Sequence, residues 1–248
     1  MVDALPAWPY PKLVAHRGAG KLAPENTLAA FRLGHAHGYR MAEFDVKLSA
    51  DGVAFLLHDG TLDRTTSGKG RADALTWHEL SQLDAGSWHS PGYAGETLPT
   101  LAAVARWSRA NGVAVNIEIK PSPGRERQSG AAIALDAQAF WSGADVVPLL
   151  SSFSEMALDA AREAVPGLPR ALLGDQIPPD WRERVARLGC IAVDVDHTVL
   201  TRERIAEFHG TGLRVATWTV NDPARAAQLL EWGVDSVITD AVDVIPPG

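Results

Sequence analysis

A run of eighteen residues, Ala42 to Asp59, sets two carboxylates and a histidine into an otherwise apolar context. Glu43 and Asp45 are two residues apart, and in a β-strand such residues point to the same side. Two buried anions side by side are costly unless a bound cation or a basic side chain neutralises them. The Asp51-Gly52 pair indicates a hairpin, after which the strand-like VAFLLH returns His58 to the end from which the carboxylates emerge.

Two further strand-like segments also end in charged residues. His16 and Arg17 follow the apolar LVA, and Glu118 and Lys120 share one face of the segment VAVNIEIK. Glu118 would complete, with the first two carboxylates, an oxygen-rich site for a hard divalent cation such as Mg²⁺ or Ca²⁺. The sequence has neither a cysteine cluster nor a His-x-x-x-His pattern, which would indicate zinc.

The basic residues of this set indicate an anionic substrate. Arg17 offers a bidentate fork and Lys120 a point charge, and both suit phosphate. Because histidine exchanges protons near neutral pH, His16 and His58 could serve as an acid-base pair. The combination predicts metal-assisted cleavage of a phosphodiester.

A structural interpretation of the same residues stays open at this point. Glu43 and Asp45 could be ion-paired with Arg40 or Lys47 at the rim of a sheet, since structural ion pairs also gather at strand ends. A single histidine at a strand end is often a packed core residue. The return of a second histidine toward the carboxylates favours the catalytic interpretation.

The candidate residues are positioned by eight strand-like segments. Each of these segments except the last is followed by a helical pattern. The strands that begin after Gly189, Gly212 and Gly233 recur at 23 and 21 residues, which is a βα repeat. Over 248 residues this pattern predicts one domain, 1–248, of the α/β class, a (β/α)8 TIM barrel. No GxGxxG follows a strand, so a dinucleotide-binding fold has no support. In such a barrel the active site lies at the carboxyl ends of the strands.

Several element boundaries can be predicted. Asn26 or Thr27 is expected to cap the first helix, and Ser154 to cap a later one. We expect a strand over Asp145 to Phe153 and a helix over Pro179 to Leu188 with proline at its start. An inserted segment, about 60–97, follows the second strand, and an excursion of this length is usually functional.

Composition restricts the partners. The formal net charge of -7 and the pI near 5.6 disfavour binding to nucleic acid or to an anionic membrane surface. The single Cys190 cannot form an intramolecular disulfide, and no apolar run approaches the ~20 residues of a membrane span. We therefore expect a cytoplasmic protein that acts on a small molecule, while the oligomeric state is left open.

Taken in order, seven motifs resemble the glycerophosphodiester phosphodiesterase family and cover nearly the whole chain. They are His16-Arg17-Gly18, APENT at Ala23–Thr27, EFDVKLSADG at Glu43–Gly52, LLHD ending at Asp59, NIEIK at Asn116–Lys120, WTVN at Trp218–Asn221 and GVDSVITD at Gly233–Asp240. The resemblance implies a (β/α)8 barrel with an insertion after the second strand. It also implies that Glu43, Asp45 and Glu118 bind Mg²⁺ or Ca²⁺, that His16 and His58 are the acid-base pair, and that Arg17 and Lys120 hold phosphate.

The implied reaction is hydrolysis of a glycerophosphodiester to sn-glycerol 3-phosphate and an alcohol, through attack by the neighbouring glycerol hydroxyl and a transient cyclic phosphate. Two alternative functions stay open. One is a related phospholipase D acting on lysophospholipids or sphingomyelin, and the other is a non-catalytic barrel that binds glycerophosphodiesters. Trp218 is a candidate contact for the glycerol part, whereas Glu25 and Asn26 are interpreted as capping and turn-holding groups rather than chemical ones. The roles of Asp194, Asp196 and His197 are left open.

Overall fold

The computed structural model describes residues 5–247. Its centre is a closed barrel of eight parallel strands, and a ninth, antiparallel strand extends the same sheet. The strands are β1 (Leu13–His16), β2 (Met41–Leu48), β3 (Ala54–Leu56), β4 (Ala114–Ile119), β5 (Leu149–Ser152), β6 (Arg170–Gly174), β7 (Ala192–Asp196), β8 (Arg214–Trp218) and β9 (Ser236–Thr239).

The order of the strands confirms the predicted (β/α)8 barrel. Around the ring the order is β1-β9-β8-β7-β6-β5-β4-β2, and the parallel pairing of β1 with β2 closes it. The hairpin strand β3 lies outside the ring and pairs antiparallel with β2, with Val46 opposite Leu56. At the turn of this hairpin Gly52 has a φ of 85°, a conformation that glycine adopts without steric cost.

Eight α-helices surround the barrel or lie in the insertion. They are α1 (Leu28–Ala36), α2 (Trp77–Leu80), α3 (Leu101–Ala110), α4 (Glu126–Phe140), α5 (Glu155–Ala164), α6 (Trp181–Leu188), α7 (Arg202–Gly210) and α8 (Pro223–Trp232). Side-chain oxygens cap most of their amino termini, and both predicted caps have this role: Thr27 accepts from the main-chain N–H of Ala30, and Ser154 from that of Ala157. Thr27 rather than Asn26 is therefore the cap of α1.

Two predicted boundaries were wrong, and in both cases a proline precedes the element. Helix α6 begins at Trp181 rather than at Pro179, since the N–H of Trp181 first closes a turn onto the carbonyl of Pro178. Strand β5 spans Leu149–Ser152 rather than Asp145 to Phe153. Pro148, which lacks an N–H for the strand ladder, directly precedes it.

The inner face of the barrel changes from apolar to polar toward the carboxyl ends of the strands. Val14, Met41, Leu149, Ala192 and Ile238 belong to one buried apolar cluster. Two positions further along, on the same strand face, each of these is followed by a polar residue. Larger apolar clusters fill the layer between the barrel wall and the helices. The cluster inside the barrel thus forms an apolar layer beneath the polar residues.

Residues 60–97 leave the barrel after β3 and contain α2 with two short 3₁₀ helices, Ala72–Ala74 and Pro91–Tyr93. The segment has its own apolar cluster, in which Leu62 and Leu80 are fully buried against Phe55 of β3. This packing fixes the segment against the wall of the barrel. Among residues 5–247, none of the helices combines the length and the apolar character needed to cross a membrane.

Candidate active site

A cavity of about 300 Å³ opens at the carboxyl ends of the barrel strands. Seven of the eight residues predicted from the sequence line it, and the eighth, Asp45, is buried beside them. The lining residues from the predicted set are His16, Arg17, Glu43, His58, Glu118, Lys120 and Trp218. The fold therefore brings the whole set to one end of the barrel.

Glu43, Asp45 and Glu118 form a buried group of carboxylates. One oxygen of each lies within 4.8 Å of those of the other two. Parallel pairing of β2 with β4 sets Asp45 opposite Glu118, and the two-residue period of β2 puts Glu43 on the same face. The side chains are only 5%, 1% and 9% exposed, respectively, so solvent hardly shields their mutual repulsion.

Burial, reinforced by the other two carboxylates, raises the pKa of Glu43 well above its ordinary value. Burial and Asp45 likewise raise the pKa of Glu118 to about 7. Burial opposes ionisation of Asp45 too, but the charges of Arg17, Lys120 and His58, with the hydrogen bond from Asn26, together outweigh it and lower the pKa of Asp45. One oxygen of Glu43, Oε1, is buried without a hydrogen-bond partner in the described part of the chain. The group thus has three carboxylates against two cations, and one of its oxygens has no partner within that described part. Such a donor set fits a hard divalent cation.

The two cations lie against the carboxylates. Lys120 Nζ is 2.7 Å from Glu118 Oε1 and 3.6 Å from Asp45 Oδ1, and Arg17 Nε is 3.4 Å from Asp45 Oδ2. Arg17 has a φ of 51°, which is uncommon for a residue with a side chain and is characteristic of functional sites.

Arg40 and Lys47, the alternative partners of the carboxylates, have other contacts. Arg40 Nη1 lies 3.1 Å from Nδ1 of His35 and donates to the carbonyl of Tyr39. Lys47 Nζ donates to the main-chain oxygen of Lys120 at 3.3 Å. The ion pairs described for Asp45 and Glu118 are with the cations that line the cavity.

His16 is held by a carboxylate from the opposite end of the chain. Its Nδ1 lies 2.6 Å from Oδ1 of Asp240, whose other oxygen accepts from Nδ2 of Asn221 at 3.1 Å. Burial would raise the pKa of Asp240, but His16, Asn221 and Arg17 together outweigh it and the pKa is lowered. An ionised carboxylate only accepts, so the ring proton resides on Nδ1. Nε2 lies 3.7 Å from Glu43 and is free to accept a proton.

His58 is also held by an aspartate. The β2–β3 hairpin brings it to the cavity, where its Nδ1 lies 2.7 Å from Oδ1 of the adjacent Asp59. Burial lowers the pKa of His58, with Asp45 and Asp59 opposing this effect. Asp59 is bound in turn by Arg64 of the inserted segment, mainly through hydrogen bonds that keep the pKa of this carboxyl low. The two histidines thus each have Nδ1 on an aspartate, and neither Nε2 makes a hydrogen bond with any residue in the range 5–247.

Glu25 and Asn26 support the site and do not cap α1. The side chain of Asn26, almost fully buried, donates to Asp45 Oδ2 at 2.8 Å and accepts from the main-chain N–H of Asp45 at 3.1 Å. Its φ of 59° turns the side chain back to the strand. Glu25 accepts from Nη1 of Arg17 at 2.8 Å. The capping part of the prediction for these two residues was therefore wrong, because Thr27 caps the helix.

The far wall of the cavity contains a polar group made of Asn116, Ser151 and Asp194. Asn116 Nδ2 donates to Asp194 Oδ2 at 3.4 Å, while Asn116 Oδ1, Ser151 Oγ and Asp194 Oδ1 are buried without a partner among the described residues. Burial, aided by Glu118, raises the pKa of Asp194 to about 8. Near neutral pH this side chain is therefore largely an uncharged acid that can both donate and accept a hydrogen bond.

Aromatic side chains cover one side of the cavity. Trp218 packs edge to face on Phe153 with 5.6 Å between ring centroids, and its Nε1 donates to the carbonyl of Asp194 at 3.3 Å. Asp196, which the sequence left open, accepts from the N–H of Thr198 and so begins the 3₁₀ helix that contains His197. Neither Asp196 nor His197 lines the cavity.

The sequence of residues 16–244 matches the family model described as the glycerophosphoryl diester phosphodiesterase family. The chain belongs to this family. It is accordingly an enzyme of the phosphoric diester hydrolase class. The Bacillus subtilis protein YhdW is 36% identical over 94% of this chain and 96% of its own length. A glycerophosphodiester phosphodiesterase of Caldanaerobacter subterraneus is 32% identical over 92% of this chain and 93% of its own.

A solved relative has the same fold. The phosphodiesterase of Oleispira antarctica, determined in complex with the product sn-glycerol-3-phosphate, matches with a TM-score of 0.91 at 35% identity over 95% of each chain.

In this phosphodiesterase, sequence reasoning missed the carboxylates behind the two histidines. Asp59 and Asp240 end the LLHD and VITD motifs, and both stand directly after a strand-like run. That position was the available signal, because polar side chains that follow the strands of such a barrel gather around its active site. Asn221 was likewise present in the WTVN motif without an assigned role.

Proposed function

We propose that this phosphodiesterase hydrolyses glycerophosphodiesters to sn-glycerol 3-phosphate and an alcohol. The proposal rests on one observation, the convergence of two aspartate-bound histidines and a three-carboxylate group on one small cavity. A binding protein would need the cations but not two imidazoles with free Nε2 atoms. The Oleispira relative bound to sn-glycerol-3-phosphate supports the choice of glycerol phosphate as product.

Glu43, Asp45 and Glu118 would hold a divalent cation, Mg²⁺ or Ca²⁺. Both ions take carboxylate oxygens, and the excess negative charge of the group supports this assignment. When bound, the cation would stabilise negative charge on the phosphoryl oxygens. Arg17 and Lys120 would bind the same phosphoryl group, the first through its planar fork and the second as a point charge.

His16 and His58 would transfer the protons in two half-reactions. In the first, one imidazole Nε2 takes the proton of the glycerol hydroxyl that attacks phosphorus. The other imidazole enters this step protonated on both nitrogens and gives its Nε2 proton to the alcohol oxygen as the bond from that oxygen to phosphorus breaks. In the second, water opens the cyclic phosphate and the two imidazoles exchange roles. Each histidine must therefore accept a proton at Nε2 in one of the two steps. The tautomer set by Asp240 and Asp59 leaves that atom free.

The glycerol part would lie between Trp218 and the polar group on the far wall. Asn116, Ser151 and Asp194 have buried oxygens without partners among residues 5–247, and such atoms are rarely left unsatisfied in a working site. Glycerol hydroxyls both donate and accept, as these groups require. The aromatic face of Trp218 would cover the apolar carbons.

The test is to incubate the protein with glycerophosphocholine and to measure sn-glycerol 3-phosphate with a coupled dehydrogenase. We expect turnover that EDTA abolishes and that added Mg²⁺ or Ca²⁺ restores. His16→Ala and His58→Ala should each lower kcat by roughly 10²-fold or more with the fold intact. Full activity after thorough metal removal would eliminate the metal role, and absence of turnover on any glycerophosphodiester would overturn the proposed function.

A second candidate substrate class is the lysophospholipids, favoured by a specific feature of the cavity wall. An adjoining cavity of about 230 Å³, lined largely by apolar side chains that include Ile177, Trp181 and Phe208, shares Phe153 and Leu173 with the active-site cavity. It could accept part of an acyl chain. Choline release from lysophosphatidylcholine at a rate comparable to that from glycerophosphocholine would support this class, and release from glycerophosphocholine alone would exclude it.

A further inference from the structure

Arg64 lies in the inserted segment and, among the residues described there, is the only one whose side chain binds two different carboxylates. Its Nη1 and Nη2 donate to the two oxygens of Glu25, both at 2.8 Å. Its Nε and Nη2 donate to the two oxygens of Asp59 at 2.8 and 3.0 Å. One guanidinium group therefore makes two bidentate pairs, the geometry that distinguishes arginine from lysine.

Both carboxylates held by Arg64 hold a residue of the proposed machinery. Asp59 binds Nδ1 of His58, and Glu25 binds Nη1 of Arg17. Arg64 thereby links a proton-transfer residue to a phosphate-binding residue, although it does not itself line the cavity.

The backbone that carries Arg64 is fixed on both sides. Leu62 is fully buried in the apolar cluster of the segment. Thr66 donates to the carbonyl of Leu62 through both its N–H and its hydroxyl, at 3.1 and 2.7 Å. Exposed ion pairs usually contribute little because both side chains are free to move. Here the side chain of Arg64, although 44% exposed, spans two carboxylates that are themselves held, and its backbone is anchored.

We propose that Arg64 is a positioning residue for the active site: it fixes Asp59 and Glu25, and through them the ring of His58 and the fork of Arg17. This inference rests on the proposed function and gives the inserted segment a part in it. Without the guanidinium, Asp59 could rotate away from Nδ1 of His58, and the ring would lose both its orientation and its single tautomer. Removing an outer partner of this kind costs about 10- to 100-fold in activity.

The experiment compares Arg64→Ala and Arg64→Lys with Arg71→Ala. Arg71 is a matched control because it makes a bidentate pair with Asp73 in the same segment, at 2.9 and 2.8 Å, and does not line the cavity. We expect kcat for glycerophosphocholine to fall about 10- to 100-fold in Arg64→Ala. Arg64→Lys should remain impaired, because one ammonium cannot form both forks, and Arg71→Ala should stay within twofold of wild type.

Two further measurements separate positioning from a merely structural role. Guanidinium ion at a non-denaturing concentration should restore part of the activity of Arg64→Ala and none to His58→Ala. In ¹⁵N NMR spectra of histidine-labelled protein, wild type should show His58 with its proton on Nδ1, whereas Arg64→Ala should show a mixture of tautomers.

Activity of Arg64→Ala within twofold of wild type would overturn the proposal, as would equal losses in Arg64→Ala and Arg71→Ala or a loss that guanidinium does not relieve. If the wild-type protein turns over no glycerophosphodiester, the proposed function fails, and the ¹⁵N spectra then decide the positioning role alone. Unchanged His58 signals in Arg64→Ala would overturn it.

Discussion

Replacement of Asp240 by asparagine should reverse the tautomer of His16 without removing a group from the cavity wall. The carboxylate accepts from Nδ1 of His16 on one oxygen and from Nδ2 of Asn221 on the other. Asn221 cannot turn its amide around freely, because its Oδ1 accepts from the N–H of Asp240 at 2.9 Å and from the hydroxyl of Thr239 at 3.3 Å. Its Nδ2 must therefore keep facing position 240.

The new amide of Asp240→Asn has one oxygen for two donors. If the oxygen stays toward Asn221, the NH₂ group faces Nδ1 of His16, which must then accept, and the ring proton moves to Nε2. That tautomer cannot accept a proton from the substrate. If the amide turns, two NH₂ groups oppose each other and one donor is unsatisfied, which costs about 1–3 kcal/mol. At ~1.4 kcal/mol per factor of ten, kcat should fall by about 10- to 100-fold.

The assay is steady-state hydrolysis of glycerophosphocholine, with kcat and KM determined separately. We expect the loss in kcat with KM nearly unchanged, since Asp240 does not line the cavity. Asn221→Ala supplies the control. In the double variant Asp240→Asn, Asn221→Ala, the new amide at position 240 is free to present its oxygen to His16, so its activity should exceed that of Asp240→Asn alone. Such a gain is a coupling between the two positions that independent defects would not produce.

Two results would refute this reasoning. One is an Asp240→Asn enzyme within twofold of wild type, which would mean that the tautomer of His16 is not limiting. The other is a double variant no more active than the single one, which would mean that Asn221 does not dictate the orientation of the amide. Thermal unfolding of each variant, followed by circular dichroism, separates both from a loss of folded protein.

Further predictions concern the carboxylate group and the loops around it. Asn26→Ala removes two buried hydrogen bonds to Asp45 and should lower the free energy of unfolding by about 1–3 kcal/mol, measured by urea denaturation. Burial, with Asp45, raises the pKa of Glu118 to about 7, so protons compete with the metal below that pH. Calorimetry should therefore show that the affinity for Ca²⁺ or Mg²⁺ falls as the pH drops from about 7. A constant affinity down to about pH 5 would contradict this prediction. Gly20→Ala should destabilise the protein by more than the roughly 1 kcal/mol of strain expected for Gly52→Ala. Both positions have a positive φ, but of the two only Gly20 would place a Cβ against a main-chain carbonyl, that of the residue after β9. Equal melting temperatures of the two variants would contradict this prediction.

The sequence predicted the barrel and the residues at its mouth because both depend on short-range patterns. A period of two along a strand places Glu43 and Asp45 on one face, and a hairpin of known type returns His58. Turn geometry was less predictable. Asn26 was interpreted as a cap because it stands before a helix, yet its positive φ directs the side chain to Asp45. Nothing in the local pattern distinguishes these two uses of an asparagine.

The contacts that orient the histidines depend on how the barrel closes, which no local pattern records. His16 and Asp240 are 224 residues apart, and they meet because β1 pairs with β9 with Ala15 opposite Thr239. The next residue on each strand is then His16 beside Asp240. A slip of one residue would turn one partner toward the helices, since alternate residues face opposite sides. The register of the closing strand pair is therefore part of the chemistry, and it explains why the aspartate that sets the tautomer of His16 could be identified only in the folded structure.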